Sequence, residues 1–463
     1  MEEPLEYLKQ RADEDWLIGC DRHHFFELCE QLVSELSQHA NPSTPPTILL
    51  AESHPLQFLA AFMAAVAAGC PVFLGNPNWV QQEWQQVFEV VQPDLIFGQA
   101  AIDTIPRPYT PFPSPHAQYR HQIMIPTGGS SGKIRFAVHT WETLMASVRG
   151  FFQYFGEKPV NSFCVLPLYH VSGLMQFLRS LTTGGKIAIL PFKALTAGEG
   201  RQLDPSSFFI SLVPTQLARL IDSDAAWLSR FRAVLLGGAP AWPSLLEQAR
   251  QHSIPLAPTY GMTETASQVV TLKPEAFLAG NYSCGQVLPH AQVTIRSSTD
   301  EILGVNQTGI VTIQADSLAL GYYPINLRYP TQTLKSDDLG FFDEQGYLTI
   351  VGRHSNKIIT GGENVFPAEV EAAILATQLV TDVCVIGLPD RDWGQVVTAV
   401  YVPNSLNVSP AFLQSSIENK LSKFKRPKYW IAIETLPRNA QGKLNYERIK
   451  KIALDALSVK SDP

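Results

Sequence analysis

The segment Thr127-Gly128-Gly129-Ser130-Ser131-Gly132-Lys133 puts three glycines, three hydroxyls and a lysine into seven residues, directly after the apolar Ile123–Ile125. Glycine lacks the Cβ that would hold an anion away from backbone N–H groups, so this loop suits phosphate. It is not a Walker A loop, because Ile134 stands where a hydroxyl must follow the lysine. Further on, Tyr260-Gly261-Met262-Thr263-Glu264-Thr265 follows Ile254–Pro258 and gathers a ring, hydroxyls and one carboxylate in what reads as a loop after a strand. A single carboxylate suits Mg²⁺ that keeps most of its waters and shares phosphate oxygens, so Glu264 is the expected metal ligand. Three further clusters carry chemistry: Ser336-Asp337-Asp338-Leu339-Gly340, the run Gly352-Arg353-His354-Ser355-Asn356-Lys357 leading to Gly361-Gly362-Glu363, and Pro437-Arg438-Asn439-Ala440-Gln441-Gly442-Lys443.

Loops of this kind need a sheet to present them. Ile48-Leu49-Leu50-Ala51 reads as a strand, Leu56–Ala68 as a helix and Val72-Phe73-Leu74 as a second strand, a βαβ unit that implies a parallel sheet. Apolar runs at Phe163–Leu166, Lys186–Leu190, Phe208–Val213 and Ala233–Leu236 flank helical patterns, as expected of a multilayered α/β domain. Five prolines between Ile105 and His116 make that segment an extended connector. From about Gln292, the runs Val293-Thr294-Ile295, Gly309–Ile313 and Gly346–Val351 have the pattern of a small antiparallel sheet. After Arg353 come a helix around Pro367–Ala376, strands Val383–Gly387 and Val396–Val402, and a helix Pro410–Leu421. The expected fold is α/β: a large N-terminal domain, residues 1–353, with parallel sheets and a small antiparallel sheet, then a small α+β domain, residues 355–463.

Composition agrees with large buried cores: of 463 residues, 45% are hydrophobic and only 17% charged. The net charge of −7 supplies no positive field for nucleic acid or anionic lipid, so phosphate must be held locally. The six cysteines are scattered without a CxxC pair, which reads as reduced thiols in a cytoplasmic protein. The charged N-terminus does not read as a secretory signal. Phe58 to Gly75 is apolar enough to raise a membrane span, but Gly69-Cys70-Pro71 breaks it into a buried helix and a buried strand, so no span is expected.

In order and wording the motifs from Thr127 to Lys443 resemble the adenylate-forming superfamily, which includes acyl-CoA synthetases, non-ribosomal peptide adenylation domains and luciferases. The resemblance implies that a carboxylate and ATP first give an acyl-adenylate and pyrophosphate, and that the acyl group then passes to the thiol of coenzyme A. It implies that Thr127, Gly128, Gly129, Ser130, Ser131, Gly132 and Lys133 hold the β- and γ-phosphates, Thr263 the α-phosphate and Glu264 the Mg²⁺. Asp338 and Arg353 would take the ribose hydroxyls, and Gly237, Gly238 and Ala239 with Tyr260 would form the adenine slot. Lys443 matches the family's catalytic lysine, placed where negative charge concentrates in the transition state. The C-terminal domain would be a mobile lid that turns about Ser355 and brings Gly361 and Gly362 to line the coenzyme A channel. Two departures stand out: the loop ends Gly132-Lys133-Ile134-Arg135 where relatives commonly read Gly-x-Pro-Lys, and the hinge residue, often Asp, is Ser355.

Leu166-Pro167-Leu168-Tyr169-His170-Val171-Ser172-Gly173, Ser211–Leu217 and Gly361–Glu371 resemble one branch in particular, the o-succinylbenzoate:CoA ligases of menaquinone and phylloquinone synthesis. An aromatic dicarboxylate needs polar partners beside apolar walls, and His170, Thr215 and Ser267 are the expected ones, with His170 also a catalytic candidate. A His170 that merely packs as a gate stays open as the alternative. The basic run Lys420, Lys423, Lys425, Arg426, Lys428 would either attract coenzyme A phosphates or be a solvated helix end. A ligase for another aryl or fatty acid, a binding protein with weakened turnover, and a carrier-loading module are the competing readings. A homodimer is left open.

Overall fold

The computed structural model describes residues 4–39, 45–98, 119–128, 134–324, 333–360, 363–390, 393–405, 407–418, 420–438 and 444–458. Chain contacts divide the protein into two compact units, one of residues 1–238, 249–293 and 313–334, the other of residues 239–248, 294–312 and 335–463. The proline-rich connector lies outside the described residues, and the structure is α/β as expected.

In the first unit the βαβ element is present. Ile48–Leu50 and Val72–Leu74 run parallel, Ile48 opposite Val72, joined by the helix Pro55–Ala67. That helix ends in a glycine-specific cap: Gly69 has φ +69°, its N–H donates to Val66 O and the Cys70 N–H donates to Ala65 O. The cap turns the apolar run into helix plus strand. Among the described residues no helix is long and apolar enough to cross a membrane.

Eleven elements of this unit position the chemistry. They are β1 (Gln122–Gly128), β2 (Ile134–Thr140), α1 (Trp141–Tyr154), β3 (Asn161–Cys164), α2 (Val171–Thr182), β4 (Phe208–Leu212), α3 (Pro214–Leu228), β5 (Ala233–Leu236), β6 (Leu256–Met262), β7 (Ser267–Thr271) and β8 (Gly321–Tyr323). One sheet runs in the order Leu17–Ile18, Ile187–Ile189, β3, β4, β5, β6, β7, Gln286–Val287. It is parallel as far as β6, and β7 then turns back antiparallel. A second sheet carries β8, β2 and β1 beside Val72–Leu74, Ile48–Leu50 and Leu95–Phe97. Strands buried on both faces read as unbroken apolar runs rather than alternating ones, and β5, Ala233-Val234-Leu235-Leu236, is fully buried.

Two stretches expected as loop are strand. Tyr260-Gly261-Met262 continues β6 because β7 folds back to pair with it, Tyr260 opposite Val270, with a register shift at Tyr260/Gly261. Thr127 and Gly128 close an antiparallel hairpin opposite Arg135 and Ile134. The phosphate-loop segment 129–133 between them lies outside the described residues.

The antiparallel sheet expected after Gln292 comprises Ala291–Arg296, Gly309–Ala315, β9 (Thr333–Phe342) and β10 (Leu348–Arg353). Beyond it, Val380–Asp390 and Gly394–Pro403 form an antiparallel pair, longer at both ends than the apolar patterns indicated. Side chains alternate across Val380–Asp390: Val383 and Val385 join a core with Val370, Ile374, Leu413 and Ile417, while Cys384 and Ile386 join another with Ile449 and Ala453. The helix from Pro410 stops at Ile417, short of Leu421, where Arg426 donates to the carbonyls of Glu418 and Leu421. Lys425 pairs with Glu369 at 2.6 Å and Lys428 with Asp390 at 3.0 Å, so three of the five basic residues are engaged within this unit. All six cysteines are free thiols.

Candidate active site

Four of the expected segments leave the same edge of one sheet. Strands β3, β4, β5 and β6 are parallel and aligned, Phe163 opposite Ile210, Leu212 opposite Leu236, and Leu236 opposite Pro258. Their carboxyl ends lead into His170, which caps α2, into Thr215 at the start of α3, into Gly237-Gly238, and into Tyr260 to Glu264. In open α/β sheets ligands bind in the crevice outside the carboxyl ends of the strands. Glycine is required at this edge: a Cβ on Gly237 would lie 2.6 Å from Thr259 Oγ1, and Gly238 has φ +81°. Thr215 is exposed and His170 half-buried beside the Tyr169 ring, 4.6 Å between centroids.

Glu264 sits in a short 3₁₀ turn, Thr263–Thr265, and is only 9% exposed. The Tyr322 hydroxyl donates to its Oε1 at 2.6 Å, and the Arg135 guanidinium lies 5.2 Å from the Tyr322 ring centroid. The residue that departs from the usual phosphate-loop lysine is thus placed on the ring that holds the expected metal ligand. Among the described residues no group of three or more His, Cys, Asp and Glu could hold a metal ion. One carboxylate whose second oxygen has no partner among the described residues fits Mg²⁺ shared with phosphate, and does not fit a cation needing an all-protein cage.

Ser267 opens β7 in a left-handed conformation, φ +101°. Its hydroxyl accepts from Arg179 at 3.1 Å and donates to Gln268 Oε1 at 2.6 Å. Arg179 also donates to Gln268 Oε1 at 3.0 Å and lies 4.1 Å from the Phe151 ring centroid. It is 2% exposed, burial pulls its guanidinium down to about 9, and no carboxylate among the described residues pairs with it. A buried cation with no carboxylate beside it among the described residues is expensive, and Arg179, bonded to the expected Ser267, is one residue that the motifs missed. The available signal was one charge inside the apolar helix run Leu174–Leu181. Tyr322 and His139 were missed too, the latter a polar residue closing the buried run Phe136–Val138.

The remaining expected residues fall in the second unit or outside description. Asp338 and Arg353 face each other across β9 and β10, and Arg353 Nε donates to Asp338 Oδ1 at 3.2 Å. Ser355 donates both its N–H and its hydroxyl to the carboxylate of Asp337, so the residue expected as a hinge is tied to β9. Ala239 also belongs to this unit. Gly129, Ser130, Ser131, Gly132, Lys133, Gly361, Gly362 and Lys443 lie outside the described residues.

Residues 107–323 match the family described as AMP-binding enzyme, and residues 369–443 match the AMP-binding enzyme C-terminal domain. The chain is 33% identical over 331 residues to a 2-succinylbenzoate–CoA ligase of Enterococcus faecalis, a match covering 70% of this chain and 67% of that protein. It is 37% identical over 285 residues to a protein of the same description from Oceanobacillus iheyensis, spanning 60% of this chain and 58% of that relative's length. A solved o-succinylbenzoate CoA synthetase from Bacillus subtilis, in complex with the acyl-adenylate intermediate, is similar with a TM-score of 0.83 at 25% identity, covering 96% of this chain and 97% of that one.

Proposed function

Since the chain belongs to the AMP-binding enzyme family, we propose that it is an ATP-dependent, AMP-forming acid–CoA ligase acting on 2-succinylbenzoate, as its relatives are named to do. The reaction places it in menaquinone or phylloquinone synthesis, and a cytoplasmic location fits it. A carboxylate oxygen of the acid attacks the α-phosphorus of ATP and expels pyrophosphate. The thiolate of coenzyme A then attacks the acyl carbonyl and expels AMP.

The observation that carries this reading is the common strand-end edge from which His170, Thr215, Gly237-Gly238 and Tyr260–Glu264 all emerge. In this reading the loop from Thr127 to Lys133 and Thr263 hold the phosphates, while Glu264 holds Mg²⁺, which supplies charge neutralisation when bound. Gly237, Gly238 and Tyr260 flank the adenine. Asp338, with Arg353 bracing it, binds the ribose. Lys443 opposes charge at the reacting carboxylate, and the chain divides functionally at Arg353/Ser355. Arg179 supplies what an aromatic dicarboxylate needs and a simple fatty acid does not: a buried cation, beside Ser267, for the carboxylate that does not react.

Incubation with ATP, coenzyme A and candidate acids tests it. The expected products are 2-succinylbenzoyl-CoA, AMP and pyrophosphate in equal amounts. Turnover of benzoate or octanoate with none of 2-succinylbenzoate would overturn the substrate, and no turnover of any acid would overturn the activity.

A further inference from the structure

Four successive carbonyl oxygens in the turn after β6 are each taken by a donor from elsewhere in the first unit. His139 Nε2 lies 2.8 Å from Thr263 O, the Ala319 N–H donates to Glu264 O at 2.8 Å, the Ser317 hydroxyl donates to Thr265 O at 2.9 Å, and the Ser147 hydroxyl donates to Ala266 O at 2.7 Å. His139, Ser147 and Ser317 are at most 1% exposed. The turn they hold is strained: Ala266 and Ser267, neither a glycine, have φ +51° and φ +101°. Such conformations persist only where the surroundings over-determine them.

Among these donors His139 is the one whose bond depends on ring chemistry. Its Nε2 faces a carbonyl oxygen, which only accepts, so Nε2 carries the proton. The ring is fully buried, and burial holds it neutral by pulling it down to about 4, which leaves Nδ1 as an acceptor. The Thr143 hydroxyl oxygen lies 3.0 Å from Nδ1, and its one hydrogen is shared between Nδ1 and the Thr140 carbonyl oxygen, also at 3.0 Å. Thr143 is itself fixed at the start of α1, where it exchanges capping bonds with Thr140. A chain of bonds therefore runs from the cap of α1 through the imidazole to the backbone of Thr263.

We propose that His139 is a positioning residue: its Nε2–H bond to the Thr263 carbonyl sets the turn that presents Thr263 and Glu264 to the triphosphate. This rests on the reading above, in which those two residues hold ATP. An isosteric core histidine would stabilise the fold without touching nucleotide handling, and the two roles separate experimentally.

Three variants decide it. His139→Met removes the donor, His139→Gln keeps an N–H near the position of Nε2, and Ser147→Ala removes another arm of the clamp. ATP binding without acid is read by calorimetry, steady-state KM and kcat are read for ATP and for acid, and ¹⁵N shifts of labelled histidine report the tautomer. Losing a hydrogen bond of this kind predicts an about 5- to 100-fold loss in kcat/KM for ATP with His139→Met, the KM for acid unchanged. His139→Gln should restore most of it, Ser147→Ala should show a smaller loss of the same kind, and His139 should be the neutral Nε2–H tautomer. Met and Gln variants with equal nucleotide kinetics, or an Nδ1–H tautomer, would overturn the proposal. Should His139→Met not fold, the Gln variant, Ser147→Ala and the tautomer still decide. A wild-type protein that binds no ATP would instead sink the functional reading beneath it.

Discussion

The guanidinium of Arg179 lies 3.1 Å from the hydroxyl of Ser267 and meets no carboxylate among the described residues, although it is buried. The arrangement joins a residue chosen from its motif to one that no motif indicated. In the function proposed above, the acid brings the negative charge that faces it.

Replacing Arg179 by Met should therefore lower kcat/KM for 2-succinylbenzoate by about 10- to 150-fold, the worth of a hydrogen bond to a charged group. Monocarboxylic acids should be affected far less. Thermal stability should hold or rise, because an uncompensated buried ion is removed. Kinetics with both classes of acid, beside a melting curve, check it; equal loss for both would contradict the assignment.

Tyr322 donates to one carboxylate oxygen of Glu264 at 2.6 Å, and the other has no hydrogen-bond partner among the described residues. Glu264→Gln should raise the Mg²⁺ needed for half-maximal ATP use, and Tyr322→Phe should weaken metal affinity by about 10-fold through lost orientation. Mn²⁺ titration in the presence of ATP, followed by electron paramagnetic resonance, reads both. Unchanged metal dependence in Glu264→Gln would count against the ligand.

Gly237→Ala should destabilise the first unit by about 1–3 kcal/mol, the usual cost of overpacking. Its Cβ would meet Thr259 Oγ1, which cannot turn away without giving up its 3.1 Å bond to Leu236 O. Urea denaturation measures the loss. Adding Thr259→Ala should relieve part of it, and strict additivity of the two changes would show that they do not meet.

Burial pulls the His139 imidazole down from its ordinary 6.5 to about 4 in the folded chain. Between those values the unfolded chain binds the proton and the folded chain does not. Stability therefore rises with pH through this window and is lost as pH falls toward 4, with a slope of up to about 1.4 kcal/mol per pH unit. His290, pulled down to about 4 by burial and by the charges of Arg179 and Arg149, acts in the same direction. Melting temperature from pH 6.5 to 4.5 should fall, and fall less steeply in His139→Gln; a slope indifferent to His139 would contradict the burial argument.

The sequence showed most of the framework because its signals are local. Gly69-Cys70-Pro71 announced the end of the Pro55–Ala67 helix, and unbroken apolar runs marked the parallel strands. Motif wording picked out Glu264, Tyr260 and Gly237 without geometry. What it hid depends on distant partners. That Tyr260–Met262 is strand rather than loop is decided by the antiparallel return of β7. The roles of Arg179, Tyr322 and His139 rest on bonds to Ser267, Glu264 and Thr263, residues 58 to 124 positions away. No periodicity encodes such contacts; only a charged or polar residue inside an apolar element hints at them.

The central claim, that this chain makes a mixed anhydride with the help of Lys443, is tested most directly by separating the two half-reactions in Lys443→Ala. Formation of acyl-adenylate, followed by pyrophosphate exchange, should fall by about 10²- to 10³-fold or more. Thioester formation from synthetic 2-succinylbenzoyl-adenylate and coenzyme A should remain close to that of the unaltered protein. Comparable loss in both half-reactions, or retention of exchange, would contradict the account.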